Sequence, residues 1–226
     1  MNIIGHRGVA GLELENTHSS FTRALNMGLQ AVELDVRKTK DDQLVVCHDA
    51  DLQRIANRQE KIRDLHLNEL RKIVLIDGSY VITLQEALEI LEGIHIFIEV
   101  KDEGCGRVLM SLLNKFQSQT VTIVSFRLRE LAIYKDLDPR YDLYGAERTR
   151  PFDIIHLAKI LRLDGIALNF WLLNPLTYYL CKRANLKLYV YTVNNAFIAG
   201  LLATLYPNVG ICTDFPDKLL KRKEAS

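Results

Sequence analysis

Apolar positions along this chain fall into two alternating rhythms. Short β-branched runs occur at 2–5, 31–36, 95–100, 120–126, 164–169, 186–193 and 209–212, with a weaker one at 141–146. Between them lie longer stretches with helical spacing, at 17–29, 84–91, 106–116, 128–137, 154–161, 175–184 and 196–205, and a last one at 214–223. Strand runs that are apolar throughout predict burial on both faces, hence parallel strands covered by helices. About eight strand–helix pairs in 226 residues predict an α/β fold, a TIM (β/α)8 barrel toward the small end of its size range. A doubly wound open sheet shares the alternation, but count and length favour the barrel. One stretch breaks the rhythm. Residues 49–80 are charged, show a helical core around 67–75 and have no clear strand, which predicts a small insertion after the second strand covering one rim. The whole chain, 1–226, reads as one domain with no linker, repeat or low-complexity tract.

Composition narrows this little. Apolar residues make up 48 % and charged residues 25 %, as in ordinary globular chains. A net charge of +1 argues against a broad surface for nucleic acid or anionic membrane, while leaving room for a small basic site. The cysteines, Cys47, Cys105, Cys181 and Cys212, have no metal-type spacing; Cys47 and Cys212 sit in apolar strand-like runs and read as buried reduced thiols. No signal peptide is visible and no apolar run approaches the ~18 residues of a membrane span, so the expected location is the cytoplasm.

In a barrel, residues just past the strand C-termini face the mouth. Polar residues gather there. His6 and Arg7 end the first strand; Glu33 and Asp35 sit in "AVELDV"; His48 and Asp49 follow "LVVC"; Glu99 and Lys101 sit in "IFIEVKD"; Ser125, Tyr191, Thr192, Asn194, Thr213 and Asp214 close later strands. Glu33 and Asp35 are two apart and point to one side of their strand, as do Glu99 and Lys101. Taken singly, each has a plainer reading: an edge pair, a packed histidine, a solvated rim charge. Taken together at strand ends, three converging carboxylates call for a compensating charge, and one divalent oxygen-seeking cation, Mg2+ or Ca2+, is the simplest. Gly5 and Gly8 flank His6-Arg7, an arrangement expected to let backbone and ligand come close. Asn16 or Thr17 reads as the N-cap of the first helix.

These motifs, taken as a string, resemble the glycerophosphodiester phosphodiesterase family. The resemblance rests on His6-Arg7-Gly8, Glu15-Asn16-Thr17, Glu33-x-Asp35-Val36, His48-Asp49 followed by Leu52 and Arg54, Thr83 to Leu88, Glu99-x-Lys101, Ser125-Phe126, Thr192-Val193-Asn194, and Thr213-Asp214 with Pro216. It spans residues 3 to about 216 and is thinner between 127 and 185. Three positions depart: Leu14 stands for the usual proline, Asp41-Asp42 for an Asp-Gly turn, and Tyr191 for a common tryptophan.

The resemblance implies a metal-dependent phosphodiesterase that converts glycerophosphodiesters, small-molecule substrates, to glycerol 3-phosphate and an alcohol. It implies Glu33, Asp35 and Glu99 as holders of the divalent cation, Arg7 and Lys101 as phosphate-binding cations, and His6 and His48 as the acid–base pair, with either histidine in either role. Phe170 and Trp171 read from position as pocket wall or core packing; with the family pattern, the expected substrate wall is Phe126, Trp171 and Tyr191. A short insertion fits small, open substrates. Two rivals use a similar constellation: a phospholipase D-like lyase or hydrolase acting on lysophospholipids, and a metal-dependent barrel aldolase or lyase. A non-catalytic binder is disfavoured, because an idle site has no reason to hold so much repulsion.

Overall fold

The computed structural model describes residues 1–224. Among them, eight parallel strands close into a barrel: β1 (Asn2–Gly5), β2 (Ala31–Lys38), β4 (His95–Val100), β5 (Val121–Ser125), β6 (Asp142–Glu147), β7 (Gly165–Asn169), β8 (Lys187–Tyr191) and β9 (Gly210–Thr213). β1 closes the ring, pairing Gly5 with Val32 of β2 on one side and Asn2 to Gly5 with Gly210 to Thr213 of β9 on the other. β3 (Leu44–Val46) folds back antiparallel on the far end of β2, with Val36 opposite Val46. The outer ring holds α1 (His18–Asn26), α4 (Leu84–Ile90), α5 (Gly106–Leu113), α6 (Leu128–Leu137), α7 (Pro151–Ile160), α8 (Pro175–Arg183), α9 (Ala196–Leu205) and α10 (Pro216–Glu224). α2 (Gln53–Ala56) and α3 (Leu67–Leu70) lie between β3 and α4. The barrel is the expected fold. None of the described helices is long and apolar enough to cross a membrane.

The continuous apolar runs serve two cores. Outward positions such as Val32, Leu34, Val36, Ile96, Ile98 and Val100 pack under the helices. Inward positions fill the barrel: Ile4, Phe97, Tyr144, Tyr189, Cys212, Val124, Ala146 and Ala167. Phe97 meets Tyr189 edge-on at 5.2 Å between centroids and Tyr144 at 6.0 Å. Each such buried side chain contributes about 1.5–3 kcal/mol, so the lower barrel is a stable plug. On β2 and β4 the inward set changes character toward the top. Glu33 stands opposite Phe97 and Asp35 opposite Glu99, so register alone brings the two acidic strands together.

Residues 49–80 form α2, a 3-10 turn at Ile62–Asp64, and α3 around a small apolar cluster of their own, which includes Leu52, Ile55, Ile62, Leu70 and Leu75. The helix expected over 67–75 is one turn long. The chain leaves it for a tight turn in which Leu75 N–H bonds Ser79 O at 2.8 Å and Gly78 adopts a φ of 86°. Leu14, in the loop after β1, packs against this same cluster. Asp42 takes the left-handed conformation, φ 57°, which aspartate tolerates better than most side chains.

Candidate active site

Arg7 has a φ of 50°, an uncommon left-handed conformation for a non-glycine residue. That turn aims the Arg7 backbone N–H at Glu33 Oε2, 3.0 Å away. The flanking glycines serve this turn and not a ligand. A Cβ on Gly5 would sit 2.2 Å from Gly8 O, and one on Gly8, at φ 85°, would sit 2.3 Å from Ser20 Oγ on α1. The close approach expected from them is therefore protein on protein. Ser20 Oγ in turn accepts from Val9 N–H at 2.8 Å and donates to Arg7 O at 2.9 Å, locking the turn to the helix.

Thr17 caps α1 by accepting from Ser20 N–H. This leaves Asn16, buried and at φ 58°, to donate its amide to Asp35 Oδ2 at 2.9 Å. Glu33 and Asp35 are 2 % and 1 % exposed. Oxygens of Glu33, Asp35 and Glu99 lie within 4.8 Å of one another. Lys101 Nζ lies 2.8 Å from Asp35 and is also paired with Glu99. Arg7 Nε is 3.2 Å from Asp35 Oδ2, and its Nη1 donates to Glu15 at 2.8 Å.

The charges in this cluster are unevenly met. Burial opposes the ionised form of Asp35, but Lys101 and Arg7 outweigh it and hold its carboxyl well below the usual range. Burial and the charge of Asp35 push Glu33 up to about 8. Burial likewise raises Glu99, against the pull of Lys101. The cluster remains short of positive charge. Its donors, carboxylate oxygen only, fit a hard divalent cation.

Two histidines flank it, each tied at Nδ1 to a carboxylate. His6 Nδ1 is 2.6 Å from Asp214 Oδ1, and its Nε2 faces Glu33 at 3.9 Å. Asn194, from the loop after β8, donates to the other Asp214 oxygen at 2.6 Å. Burial opposes charge on His6, but Asp214 and Glu33 prevail and its pKa is raised. His48 Nδ1 is 2.7 Å from Asp49 Oδ1. Burial, with Lys101 and Arg7 adding to it, lowers the His48 pKa against the field of Asp35. Arg37 fixes the His48 loop, donating to its carbonyl at 2.9 Å. Arg54, in α2, donates to Asp49 at 2.7 Å and forks onto both oxygens of Glu15 at 2.7 Å. A continuous run of ion pairs thus joins His48 to Arg7.

Beside this centre opens a cleft of about 430 Å3, lined by Arg37, His48, Glu99, Lys101, Phe126 and Arg148. Arg148 lies over the Phe126 ring at 4.7 Å. Tyr191 stands behind Phe126, centroids 6.2 Å apart, and donates its hydroxyl to Glu147 O at 2.9 Å, a tie between β8 and β6. Trp171 is elsewhere. The 3-10 turn Phe170–Leu172, capped by Asn169, holds it 76 % exposed against Phe170 on the rim, outside the lining of this cleft. The expected cations, acids and histidines are thus assembled at one mouth. Glu15, Arg54, Asp49 and Asp214, which had no assigned task, and Asn16, expected only as an alternative helix cap to Thr17, hold them in place. The signal available for Asp49 was its place next to His48. For Glu15 and Asn16 it was their place at the head of a helix beside the mouth.

A parallel (β/α)8 barrel whose mouth gathers three carboxylates, an arginine, a lysine and two carboxylate-held imidazoles beside a cleft is equipped for phosphate-ester chemistry. Comparison with known proteins agrees. Residues 6–218 match the Glycerophosphoryl diester phosphodiesterase family. The chain is 31 % identical over 239 residues to YhdW of Bacillus subtilis (strain 168), covering 98 % of this chain and 97 % of that one. It is 28 % identical over 239 residues to the glycerophosphodiester phosphodiesterase of Caldanaerobacter subterraneus subsp. tengcongensis, covering 96 % of each. An Oleispira antarctica phosphodiesterase, solved with the product sn-glycerol-3-phosphate, shares the fold with a TM-score of 0.92 at 24 % identity, over 99 % of this chain and 97 % of that one. The chain belongs to the glycerophosphoryl diester phosphodiesterase family of enzymes.

Proposed function

We propose that this enzyme hydrolyses small glycerophosphodiesters to glycerol 3-phosphate and an alcohol, with one divalent cation, in a reducing compartment such as the cytoplasm. The observation that carries the reading is the pair of imidazoles flanking one carboxylate cluster, each held at Nδ1 by a carboxylate, which leaves Nε2 as the nitrogen that exchanges a proton. Glu33, Asp35 and Glu99 would hold Mg2+ or Ca2+, which supplies charge neutralisation at the phosphoryl oxygens. Arg7, with a planar fork, and Lys101, with a point charge, bind the remaining oxygens as negative charge builds on them.

The two histidines differ in a useful direction. The lowered pKa of His48 favours an unprotonated Nε2 and suits it to accept a proton from the attacking water. The raised pKa of His6 favours a protonated Nε2 and suits it to give that position's proton to the leaving alkoxide. In balance, one P–O bond to the alcohol breaks, one P–O bond from water forms, and one proton passes to His48 while another leaves His6. Phe126, backed by Tyr191, walls the cleft where the alcohol sits, and Trp171 waits on the rim for larger head groups. Four buried, unpaired thiols favour the reducing compartment.

The test is release of glycerol 3-phosphate from a panel of glycerophosphodiesters with and without Mg2+, Mn2+ and Ca2+, followed by phosphorus NMR. Release that depends on the cation supports the reading. A cyclic phosphate as end product turns it into a lyase, and no release from any member overturns it.

A further inference from the structure

Glu33 belongs to two groups of donors. Toward Asp35 and Glu99 it faces carboxylates. On its other side it faces His6 and Cys212, and donor atoms of His6, Glu33 and Cys212 also lie within 4.8 Å of one another. Cys212 is fully buried on β9, where it pairs in register with Ile4 and points into the barrel. The hydrogen bond from His6 Nδ1 to Asp214, 2.6 Å, leaves Nε2 as the nitrogen turned toward Glu33. A carboxylate behind an imidazole is the outer-shell arrangement of metal-bound histidines, where it fixes the tautomer and raises the basicity of the ligating nitrogen.

The two donor sets differ in chemistry. Carboxylates alone favour Mg2+ or Ca2+. One nitrogen, one oxygen and one sulfur favour softer ions such as Zn2+ and Cd2+, with a fourth position open. Bond lengths of about 2.0–2.3 Å put tetrahedral donor atoms within about 4 Å of each other, so only small side-chain adjustments would close the triad on an ion.

We propose that His6, Glu33 and Cys212 form a second, thiophilic cation site that shares Glu33 with the carboxylate cluster and inhibits the enzyme when Zn2+ or Cd2+ occupies it. Binding forms one metal–sulfur bond and breaks the Cys212 S–H bond, whose proton goes to solvent; His6 and Glu33 add lone pairs, and nothing is oxidised or reduced. Occupancy caps His6 Nε2, so that atom no longer exchanges a proton, and it draws Glu33 away from Asp35 and Glu99. Without such an ion the sulfur is inert, because burial and the neighbouring Glu33 hold the thiol protonated. The inhibitory half of this inference rests on the hydrolase reading; the binding half does not.

The test therefore has two arms, both on the full chain. In the first, Cd2+ is titrated into metal-stripped protein while the ultraviolet thiolate-to-cadmium charge-transfer band is recorded for wild type, Cys212→Ser, Cys212→Ala and, as a buried-thiol control, Cys47→Ser. The expected result is a band saturating at one Cd2+ per chain in wild type and Cys47→Ser, and absent from both Cys212 variants. A wild type without the band, or a Cys212 variant that keeps it, overturns the site. In the second, Zn2+ inhibition of glycerophosphodiester hydrolysis is measured at fixed Ca2+. Loss of one ligand should raise the half-inhibiting Zn2+ concentration by at least about tenfold in either Cys212 variant, with turnover before zinc retained. Equal sensitivity overturns the inhibitory role. If the wild type turns over no substrate, the hydrolase reading fails while the cadmium band still decides the site.

Discussion

The two halves of this barrel hold the same kind of strand and opposite kinds of interior. β1, β2 and β4, with the turn after β3, present His6, Arg7, Glu33, Asp35, His48, Glu99 and Lys101, all within the first 101 residues. β5 to β8 present Val124, Tyr144, Ala146, Ala167 and Tyr189, and β9 reaches back through the residue that follows it, with Asp214 on His6. Burying an ion costs several kcal/mol unless a partner meets it. Charges are therefore concentrated in one sector, where Arg7 and Lys101 meet Asp35 and Glu99, and the other sector is left to pack. In the function proposed above, the charged half carries the chemistry and the neutral half shapes what approaches it.

The largest effect expected is that of a chelator. If the charged half is organised around a cation, EDTA abolishes turnover and added Mg2+ or Ca2+ restores it; full activity in chelator would break the comparison at its centre. Next come the histidines. His6→Ala and His48→Ala should each lower kcat by roughly 10²–10⁴. Their pH signatures differ. The proposed roles need His48 neutral and His6 protonated, so activity is expected to rise as pH climbs through the lowered pKa of His48 and to fall as pH climbs through the raised pKa of His6. His48→Ala should erase the acid limb of the pH–rate profile and His6→Ala the alkaline one. The reverse pattern would exchange their roles.

A smaller effect is expected at Arg54. Arg54→Gln unties Asp49 from Glu15 and so loosens both His48 and Arg7. Partners of this kind typically matter by about 10–100-fold in activity, whereas a half-exposed ion pair is worth only about 0–1 kcal/mol of stability. Steady-state rates and a thermal melt on the same sample separate the two, and a variant that loses stability but not activity would remove Arg54 from the charged half.

Arg54 also marks where the sequence becomes illegible. Strand positions could be read because burial on both faces leaves an unbroken apolar run, and Glu33 and Asp35 could be assigned one side because side chains alternate along a strand. Arg54 sits in "RIANRQEKIRDL", a charged stretch of the insertion expected over one rim, where the motif string marks Arg54 without naming its partner. Arg58 there does pair locally, with Glu60, and Arg63 with Asp64; only the fold shows that Arg54 instead crosses to Glu15, 39 residues away. Asp214 is 208 residues from His6, and no local pattern pairs them. The tasks of the individual acids and cations came from the family's motif string and not from periodicity, which fixes a side and never a partner. The place of Trp171 on the rim, outside the cleft lining, was not legible for a related reason. Its position after β7 is right for a wall, but the direction it takes is set by the Asn169 cap, where the Asn169 side chain accepts from Trp171 N–H at 3.2 Å.

Trp171 gives the smallest and sharpest prediction about the neutral half. A side chain 76 % exposed with one ring contact, Phe170 at 4.4 Å, holds little of the fold together, so Trp171→Ala should move stability by no more than about 0.5 kcal/mol. It touches none of the charged groups, so kcat on a small substrate such as glycerophosphocholine should stay at the wild-type value. If the rim meets the alcohol part of larger substrates, KM should rise for those with an apolar or extended head group, by an amount worth about 1 kcal/mol, under tenfold, and stay constant for the smallest. Steady-state kinetics on a series of head groups reads this directly. A drop in kcat across the whole series would mean that the neutral half takes part in the chemistry, and the division between the two halves would have to be redrawn at β7.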